Sequence, residues 1–453
     1  MKGSALRIVI SSARKFINMG ALSRLWNLLK KLHSADIATV MDHFTSREKL
    51  ILFNVLFDKD KKKAAEVLSE LDPGDAAQIL NNLPVHQISS ILQMIASDDV
   101  ASILQELPQE IQEAILEKME DKPSEDVKEL LFYEEETAGR IMSPNFYALN
   151  MNTNVSDAIT AVQLEGDVES AFYLYVVDDE DHLMGVVSLR QLLFARPNTK
   201  LKDIMTSEVI SVTTETDQED VARAVADYNL VAIPVVDKEN KLVGVVTVDD
   251  VIDIIDQEAT EDIYKMVSLD TTDRIQDSPF SSIKKRLPFL IISLLTASLA
   301  PFVANYFKGT LEQYVTLAVL MPLVMALGGI AGNQTIALTV REIAIGQVEW
   351  ISARKALFKE ILVGLGNGII LGAMLGLSTW VLMNNPYLGL IIGLALIINL
   401  FVAAFLGTLI PLFLKLIHLD PALGSVNFLT MCTDSIGLFS FLGLGTLFLK
   451  YLN

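Results

Sequence analysis

The spacing of apolar residues changes twice along the chain, and each change marks a different architecture. From about Leu32 to Glu136 apolar positions recur at helical intervals in short bursts. The stretches "LDPGDAAQIL", "LPVHQISSIL", "ASDDVASIL" and "LPQEIQEAIL" follow one another about every 12 residues, each opened by a Pro or Asp helix-start signal. This predicts short helices stacked in a superhelical array, whose role is contact within the chain rather than catalysis. From Ala138 to about Glu258 β-rich runs alternate with helical ones, and the unit occurs twice. "AFYLYVVDDEDHLMGVVSLRQLL" and "LVAIPVVDKENKLVGVVTVDDVI" match residue for residue over their second halves. Each holds a strand, an Asp-containing turn, a second strand "GVV", then Ser or Thr opening a helix. Each follows an "IM" segment, "GRIMSPNFYALNMNTNVSDAI" or "KDIMTSEVISVTTETDQEDVA". Beyond Ser281, runs of the ~20 apolar residues needed to cross a bilayer begin near Leu287, Tyr314, Ala356, Leu388 and Ser425.

The expected fold is therefore multidomain. It comprises a basic leader (1–31), an all-α superhelical N-domain (32–136), two α/β units (137–199 and 200–257), a long connecting helix (258–283) and an all-α polytopic membrane domain with five spans (284–453).

Charge partitions along the same lines. The chain holds 36 basic and 56 acidic residues, a net of -20. The first 31 residues carry seven basic side chains and no acid, whereas Leu32 to Phe280 carries 50 acidic against 19 basic. Such a region repels phosphates and is not expected to bind nucleic acid; cations would hold it together. Cys432 is the single cysteine, so an intrachain disulfide is excluded. The leader lacks a continuous apolar core, so no cleavable secretory signal is expected. It reads either as a surface-lying amphipathic helix or as a frayed basic tail. Lys284, Lys285 and Arg286 precede the first span, Arg341, Arg354, Lys355 and Lys359 lie between the second and third, and Lys415 follows the fourth. The positive-inside rule then puts the soluble part in the cytoplasm and the C-terminus outside the cell (plasma) membrane.

Candidate chemistry lies where charge and apolar pattern conflict. Asp434 is the only ionisable side chain in "NFLTMCTDSIGLFSFLGLGTLFL", and an Asp at the centre of a span costs roughly 2.5–3.5 kcal/mol. In the second span, Gly328, Gly329 and Gly332 permit close backbone approach, and Asn333, Gln334 and Thr335 demand a polar neighbour. Glu360, at the end of the third span, is expected to snorkel. A proton relay usually needs several titratable groups, so the want of other buried charge argues against one. In "TVDDVIDIIDQEATEDIYKMV", Asp249, Asp250, Asp253, Asp256, Glu258 and Glu261 share one broad helix side, with Val251, Ile252, Ile255 and Ile263 on the other. Like charges at this spacing destabilise a helix by tenths of a kcal/mol per pair, and no lysine relieves them before Lys265. A solvated acidic face is the ordinary reading; its run toward the first span suggests a cation-operated lever. His33, His43, His86 and His182 show no metal-ligand spacing, and no phosphate loop or nucleophile motif occurs, so an enzyme is not expected.

The duplicated unit resembles a tandem CBS-domain pair. Such pairs commonly sense adenine nucleotides with a Gly, then Ser or Thr, then Asp pattern that holds a ribose. The second copy has Gly244, Thr247 and Asp250; the first has Gly185 and Ser188, with Gln191 in place of the acid. The resemblance implies ATP as a candidate ligand of Thr247 and Asp250, and Gln191 counts against it.

Taken in order, "YEEETAGRIM", "YLYVVDDEDHLMGVVSLRQLL", "DQEDVARAVADYNLVAIPVVD", "GVVTVDDVIDIIDQEATEDIY", "PLVMALGGIAGNQTIALTVR" and "DPALGSVNFLTMCTDSIGL" resemble the signatures of MgtE magnesium channels. The likeness covers nearly the whole chain after the leader. It implies a homodimer in the lipid bilayer, with the pore between two five-span halves, and an N-domain, CBS pair and connecting (plug) helix in the cytoplasm. Such a channel imports Mg2+ and is closed by cytosolic Mg2+ bound between those acidic regions. The resemblance implies regulatory metal ligands at Asp217, Glu219, the carbonyl of Ala226, Asp250, Asp253, Glu258 and Glu261, with Asp98 and Asp99 as N-domain partners. It implies pore ligands at Asp434, Asn333 and Asp420. In a dimer, two Asp434 carboxylates would face one hydrated ion, which offsets both their burial and their repulsion and whose waters Thr430 and Thr433 would bond. Asn229 stands where the family more often has Asp, Ile330 replaces the Asn of a Gly-Gly-Asn, and Val426 and Asn427 replace a Gly-Pro. The alternatives are a divalent transporter for Co2+ or Mn2+, one coupled to Na+ or H+, and a membrane-tethered CBS sensor that moves nothing. Asp434 counts against the last, since an anchor has no use for a buried acid.

Overall fold

The computed structural model describes residues 3–164, 173–273, 278–346 and 350–452 and divides into two compact units, residues 1–254 and 255–453.

In the first unit the sequence repeat becomes a ladder of short helices. Pro73–Leu80, Val85–Leu92, Ser97–Gln105, Gln109–Leu116 and Asp121–Phe132 begin twelve residues apart. Each packs on the next but one: Pro73–Leu80 on Ser97–Gln105, Val85–Leu92 on Gln109–Leu116, Ser97–Gln105 on Asp121–Phe132. Helices this short are marginal alone, so stacking supplies the buried stripe that each lacks.

The leader is part of this array. Gly3–Asn18 is a helix whose Leu6, Val9, Ile10, Phe16 and Ile17 pack on the N-domain core and whose Ala13 is fully buried. Arg14 donates to the His43 carbonyl at 2.8 Å, pairs with Glu48 at 3.8 Å and sits 5.1 Å from the Phe44 ring centre. The frayed tail is thus corrected, and the amphipathic helix is present but lies against the N-domain. An amphipathic pattern shows that a helix has an apolar side, not what covers it, and here helices Leu22–Leu29 and Ser34–Met41 do so.

The duplicated unit gives two three-stranded sheets, β1 (Ala148–Asn150), β2 (Tyr173–Val177), β3 (Leu183–Ser188) and β4 (Val212–Thr213), β5 (Ala232–Val236), β6 (Leu242–Thr247). In both, the first pair is parallel and the second antiparallel. The registers are equivalent, Tyr173 opposite Ser188 in one and Ala232 opposite Thr247 in the other, with an irregularity at the same place. The "IM" segments cross over. Met142, ahead of the first copy, packs on Gly244 of the second, and Ser143 exchanges backbone bonds with Val245 at 2.8 and 3.0 Å. Met205, ahead of the second copy, covers Gly185 of the first, where a Cβ would lie 2.6 Å from its sulfur. Glycine is needed at both places because the slot is already filled.

Val248–Met266 forms one helix. It starts within the second CBS unit and ends inside the segment 258–283. Residues 267–273 of that segment are not helical, residues 274–277 lie outside the described residues, and the next helix begins at Pro279. The helix stops because Ser268 takes a left-handed conformation (φ 55°). The Ser268 amide then donates to the Lys265 carbonyl at 3.1 Å and that of Leu269 to Tyr264 at 2.8 Å, a Schellman ending. Val251 is buried together with Ile254, but Ile252, Ile255 and Ile263 are exposed. The buried stripe therefore runs one i, i+3 step from the CBS core and does not cover the whole apolar side.

Among its described residues the second unit contains five helices long and apolar enough to cross a membrane: Pro279–Tyr306, Thr316–Ala344, Ala353–Met383, Pro386–Leu416 and Ser425–Leu447. The third and fourth pack backbone to backbone. A Cβ on Gly372 would lie 2.7 Å from the Gly393 carbonyl, and one on Gly376 2.6 Å from that of Gly389. Small residues at such crossings permit the close van der Waals contact that drives helix association in lipid.

Candidate ion path and regulatory acids

The fifth span starts after Gly424, whose left-handed backbone (φ 62°) turns the chain out of the preceding loop. Asp434, half-buried, lines a cavity of about 170 Å³ with Ser293 and Thr296 of the first span and Asn427, Thr430 and Ser435 of its own. Asn427 and Thr430 precede Asp434 by seven and four residues and so share its helix face. Thr433 does not. It is fully buried, and its hydroxyl donates back to the Leu429 and Thr430 carbonyls at 3.1 and 3.2 Å. One residue of helix is a rotation of about 100°, which takes Thr433 away from the waters it was expected to hold.

Asp420 is placed elsewhere. It pairs with Lys265 at 2.6 Å and accepts the Ala422 amide at 2.7 Å. Lys265 also pairs with Glu261. Burial works against the Lys265 charge, but the bonds to Asp420 and Glu261 outweigh it and raise its pKa. Burial and the nearby charge of Asp420 push the adjacent Asp262 up to about 6.

In the second span, Asn333 and Gln334 are exposed in this chain, away from the Asp434 cavity, while Thr335 is buried. Gly328 leaves room for the Asn399 amide, which donates to the Val324 carbonyl at 2.8 Å. Gly332 leaves room for Leu429, and Gly329 faces open space. Glu360 does not snorkel: it is 7% exposed, 3.5 Å from the Thr335 hydroxyl and 3.2 Å from Lys359. Asp434 is therefore not the sole enclosed acid of the spans, and proton coupling is not set aside for want of a second one.

In the first unit two of the expected regulatory acids, Asp98 and Asp250, lie close enough for the charge of the second to act on the first. Asp98 opens the helix Ser97–Gln105, and one of its carboxylate oxygens is buried with no hydrogen-bond partner among the described residues. Burial, then the charges of Asp250 and Asp99, hold its carboxyl well above the usual range. Asp250 is also raised by burial, against the bond it accepts from the Thr247 hydroxyl at 2.5 Å. The equivalent place in the first copy is a capping box. Ser188 donates to the Gln191 side chain at 2.8 Å from both amide and hydroxyl, and the Gln191 amide donates to Ser188 at 3.2 Å. Gln191 thus keeps the cap and drops the charge.

The remaining expected ligands are spread out. Asp217 caps the helix Gln218–Tyr228 by accepting the Glu219 amide at 2.8 Å, and Glu219 pairs with Arg223 at 3.3 Å. The Ala226 carbonyl accepts from Asn229 at 3.4 Å. Asn229 itself is left-handed (φ 52°), a helix-ending position that Asn tolerates best after Gly, which gives this departure a backbone reason. Asp99 and Glu258 are half-buried and Asp253 is exposed. Among the described residues no three His, Cys, Asp or Glu side chains converge as a ready metal cage. Sequence reasoning missed Ser293, Thr296, Asn427 and Ser435. The signal was available: Ser293 and Thr296 are polar residues three apart in an apolar span, and Asn427 lies seven before Asp434.

Five apolar helices, the first and fifth of which line a cavity with an acid, joined to acidic domains with a CBS pair, define a multi-pass membrane protein of the cation-transporter class. Residues 321–444 match the MgtE divalent cation transporter family, residues 32–136 the MgtE intracellular N domain, and residues 138–198 and 201–257 the CBS domain. The magnesium transporter MgtE of Enterococcus faecalis is 36% identical over 72% of this chain and 72% of its own length. That of Thermus thermophilus is 36% identical over 72% and 73%. A crystal structure of the cytosolic domain of the Mg2+ channel MgtE in complex with ATP is similar at a TM-score of 0.50 and 36% identity, covering 54% of this chain and 99% of that one. The chain belongs to the MgtE family of magnesium transporters, with its N-terminal domains in the cytosol.

Proposed function

We propose that the protein is a magnesium-selective channel that imports Mg2+ across the cytoplasmic membrane and is closed by cytosolic Mg2+. The observation that carries the gating is Asp98. Its buried, unpartnered carboxylate oxygen and the neighbouring charge of Asp250 are each costly without a counter-ion. Magnesium keeps most of its waters and typically takes only one or two carboxylates directly, so a pair of acids suffices where the described residues form no larger cage. Asp217, Glu219, the Ala226 carbonyl, Asp253, Glu258, Glu261 and Asp99 are the further regulatory ligands of this reading. In the membrane, Asp434 and its copy in a homodimer face the hydrated ion, with Asn333 on the second span, and the C-terminus lies outside the cell. ATP is a candidate ligand at Thr247 and Asp250, supported by the complex formed by the similar cytosolic domain.

Ion flux in liposomes, with Mg2+ varied on the cytoplasmic face, tests the proposal. Flux should fall as that Mg2+ rises, and persistence at high internal Mg2+ would sink the gating. Asp434→Asn should abolish conduction, and undiminished flux would remove Asp434 from the filter. The enclosed Glu360 favours a second reading, coupling to protons, which predicts that flux falls when an imposed pH gradient is collapsed.

A further inference from the structure

The connecting helix ends against the loop that leads into the fifth span. Lys265 pairs with Asp420, its carbonyl accepts the Gly424 amide at 3.2 Å, and Met266 packs with Ala422 and Leu429. Within this junction one side chain bridges three elements. The Asn427 amide nitrogen donates to the Ser268 hydroxyl at 2.9 Å and to the Ser293 hydroxyl at 3.0 Å. Ser268 is the left-handed residue that ends the connecting helix, Ser293 belongs to the first span, and Asn427 lies two turns before Asp434. The orientation of the amide follows from proton counting. The single hydroxyl hydrogen of Ser293 is engaged by the Phe289 carbonyl at 2.9 Å, so Ser293 can only accept from Asn427, and an NH2 group has two hydrogens to give. Asn427 and Ser293 both line the Asp434 cavity.

We propose that Asn427 is a positioning residue that latches the end of the connecting helix to the first span at the mouth of the ion path, and so favours the closed state. The side chain touches neither the regulatory acids nor Asp434 in this role; it acts by tying together elements that must part for the path to widen. A hydrogen bond of this kind contributes on the order of 1 kcal/mol net, about a fivefold change in an equilibrium. Loss of both bonds should therefore raise the open-to-closed ratio by roughly 25-fold.

The latch rests on the magnesium-gating reading, and two measurements on the full-length protein separate them. The first is the open-to-closed ratio in liposomes at a fixed, half-closing cytoplasmic Mg2+. Asn427→Ala should raise it by about 25-fold, and Ser293→Ala and Ser268→Gly by about fivefold each. Glycine is used at 268 because it keeps the left-handed backbone while removing the hydroxyl. Adding either serine change to Asn427→Ala should add nothing. Asn427→Leu, which keeps roughly the size but can neither donate nor accept, should behave like Ala. The second is hydrogen exchange of amides 264–269 in chelator, which should quicken in Asn427→Leu whether or not Mg2+ gates the protein. If the wild type does not close with Mg2+, the gating reading fails and exchange alone decides the latch. Exchange equal to wild type in Asn427→Leu, or altered conductance with an unchanged open-to-closed ratio, would overturn it.

Discussion

Replacing Asp98 by Asn should stabilise the magnesium-free protein and blunt its response to magnesium. Asp98 has a buried carboxylate oxygen with no hydrogen-bond partner among the described residues, and its charge is opposed by Asp250 and Asp99. An orphaned buried polar group costs about 1–3 kcal/mol, more when charged, and the amide removes the charge without changing the shape. For a unit of residues 1–254, 1 kcal/mol corresponds to about 2–4 °C in Tm. A gain of roughly 4–8 °C in chelator is therefore expected for a change of about 2 kcal/mol. The added stabilisation by Mg2+, which follows RT ln(1 + [L]/Kd) for a folded-state ligand, should shrink. The pH dependence has a definite sign. Asp98 is raised on folding, so the folded state keeps a proton that the unfolded state releases, and stability is lost as pH rises from the ordinary carboxylate value through the raised one. Asp98→Asn should remove that loss. Thermal unfolding of the full-length protein in detergent, with chelator or Mg2+ at two pH values, measures all three. An unchanged or lower Tm in chelator, with an undiminished Mg2+ shift, would refute the reasoning.

Other expectations follow from contacts described above. Gly328→Ala would drive a Cβ into the Asn399 amide and should cost about 1–3 kcal/mol by overpacking, read as a fall in Tm in detergent. Gly329→Ala meets nothing within 4 Å and should be neutral or gain up to roughly 1 kcal/mol from helix propensity. Asp262, raised to about 6, holds an extra proton when folded, so it weakens the fold as pH climbs from the ordinary carboxylate value to about 6. Asp262→Asn should flatten that part of a Tm-against-pH curve. Deleting residues 1–18 uncovers the N-domain core beneath Ala13 and Ile10; the truncated protein should unfold several degrees earlier, whereas a membrane-anchoring leader would leave Tm unchanged and reduce lipid binding.

What could be read before the structure was known depended on the period of each signal. The twelve-residue repeat, the duplicated strands and the five apolar runs extend over many residues, so no single contact decides them, and each appears where expected. Azimuth was harder. A sequence gives the depth of Glu360 along its span but not which way it points, and packing against Thr335 decided that. Helical rotation alone could have separated Thr430 from Thr433. The partners of Asp420 and Asn427 were illegible, because Lys265 and Ser268 lie some 155 residues away in sequence and only the packing of the spans brings them near. Gln191 and Asn229 look like lost charges in the sequence; as a cap and a left-handed helix end they are backbone solutions.

The crossed methionines mean that neither CBS copy is a finished body. With Met142 seated over Gly244 and Met205 over Gly185, a chain severed between residues 199 and 200 would yield two halves, each with a vacant slot that only the other can fill. Those fragments should be insoluble apart and should recombine on mixing. In the intact protein the same reciprocity forbids a private response: a shift of one sheet must displace a thioether belonging to the other arm. Duplication has here produced a yoke, and whatever binds one side is felt by both.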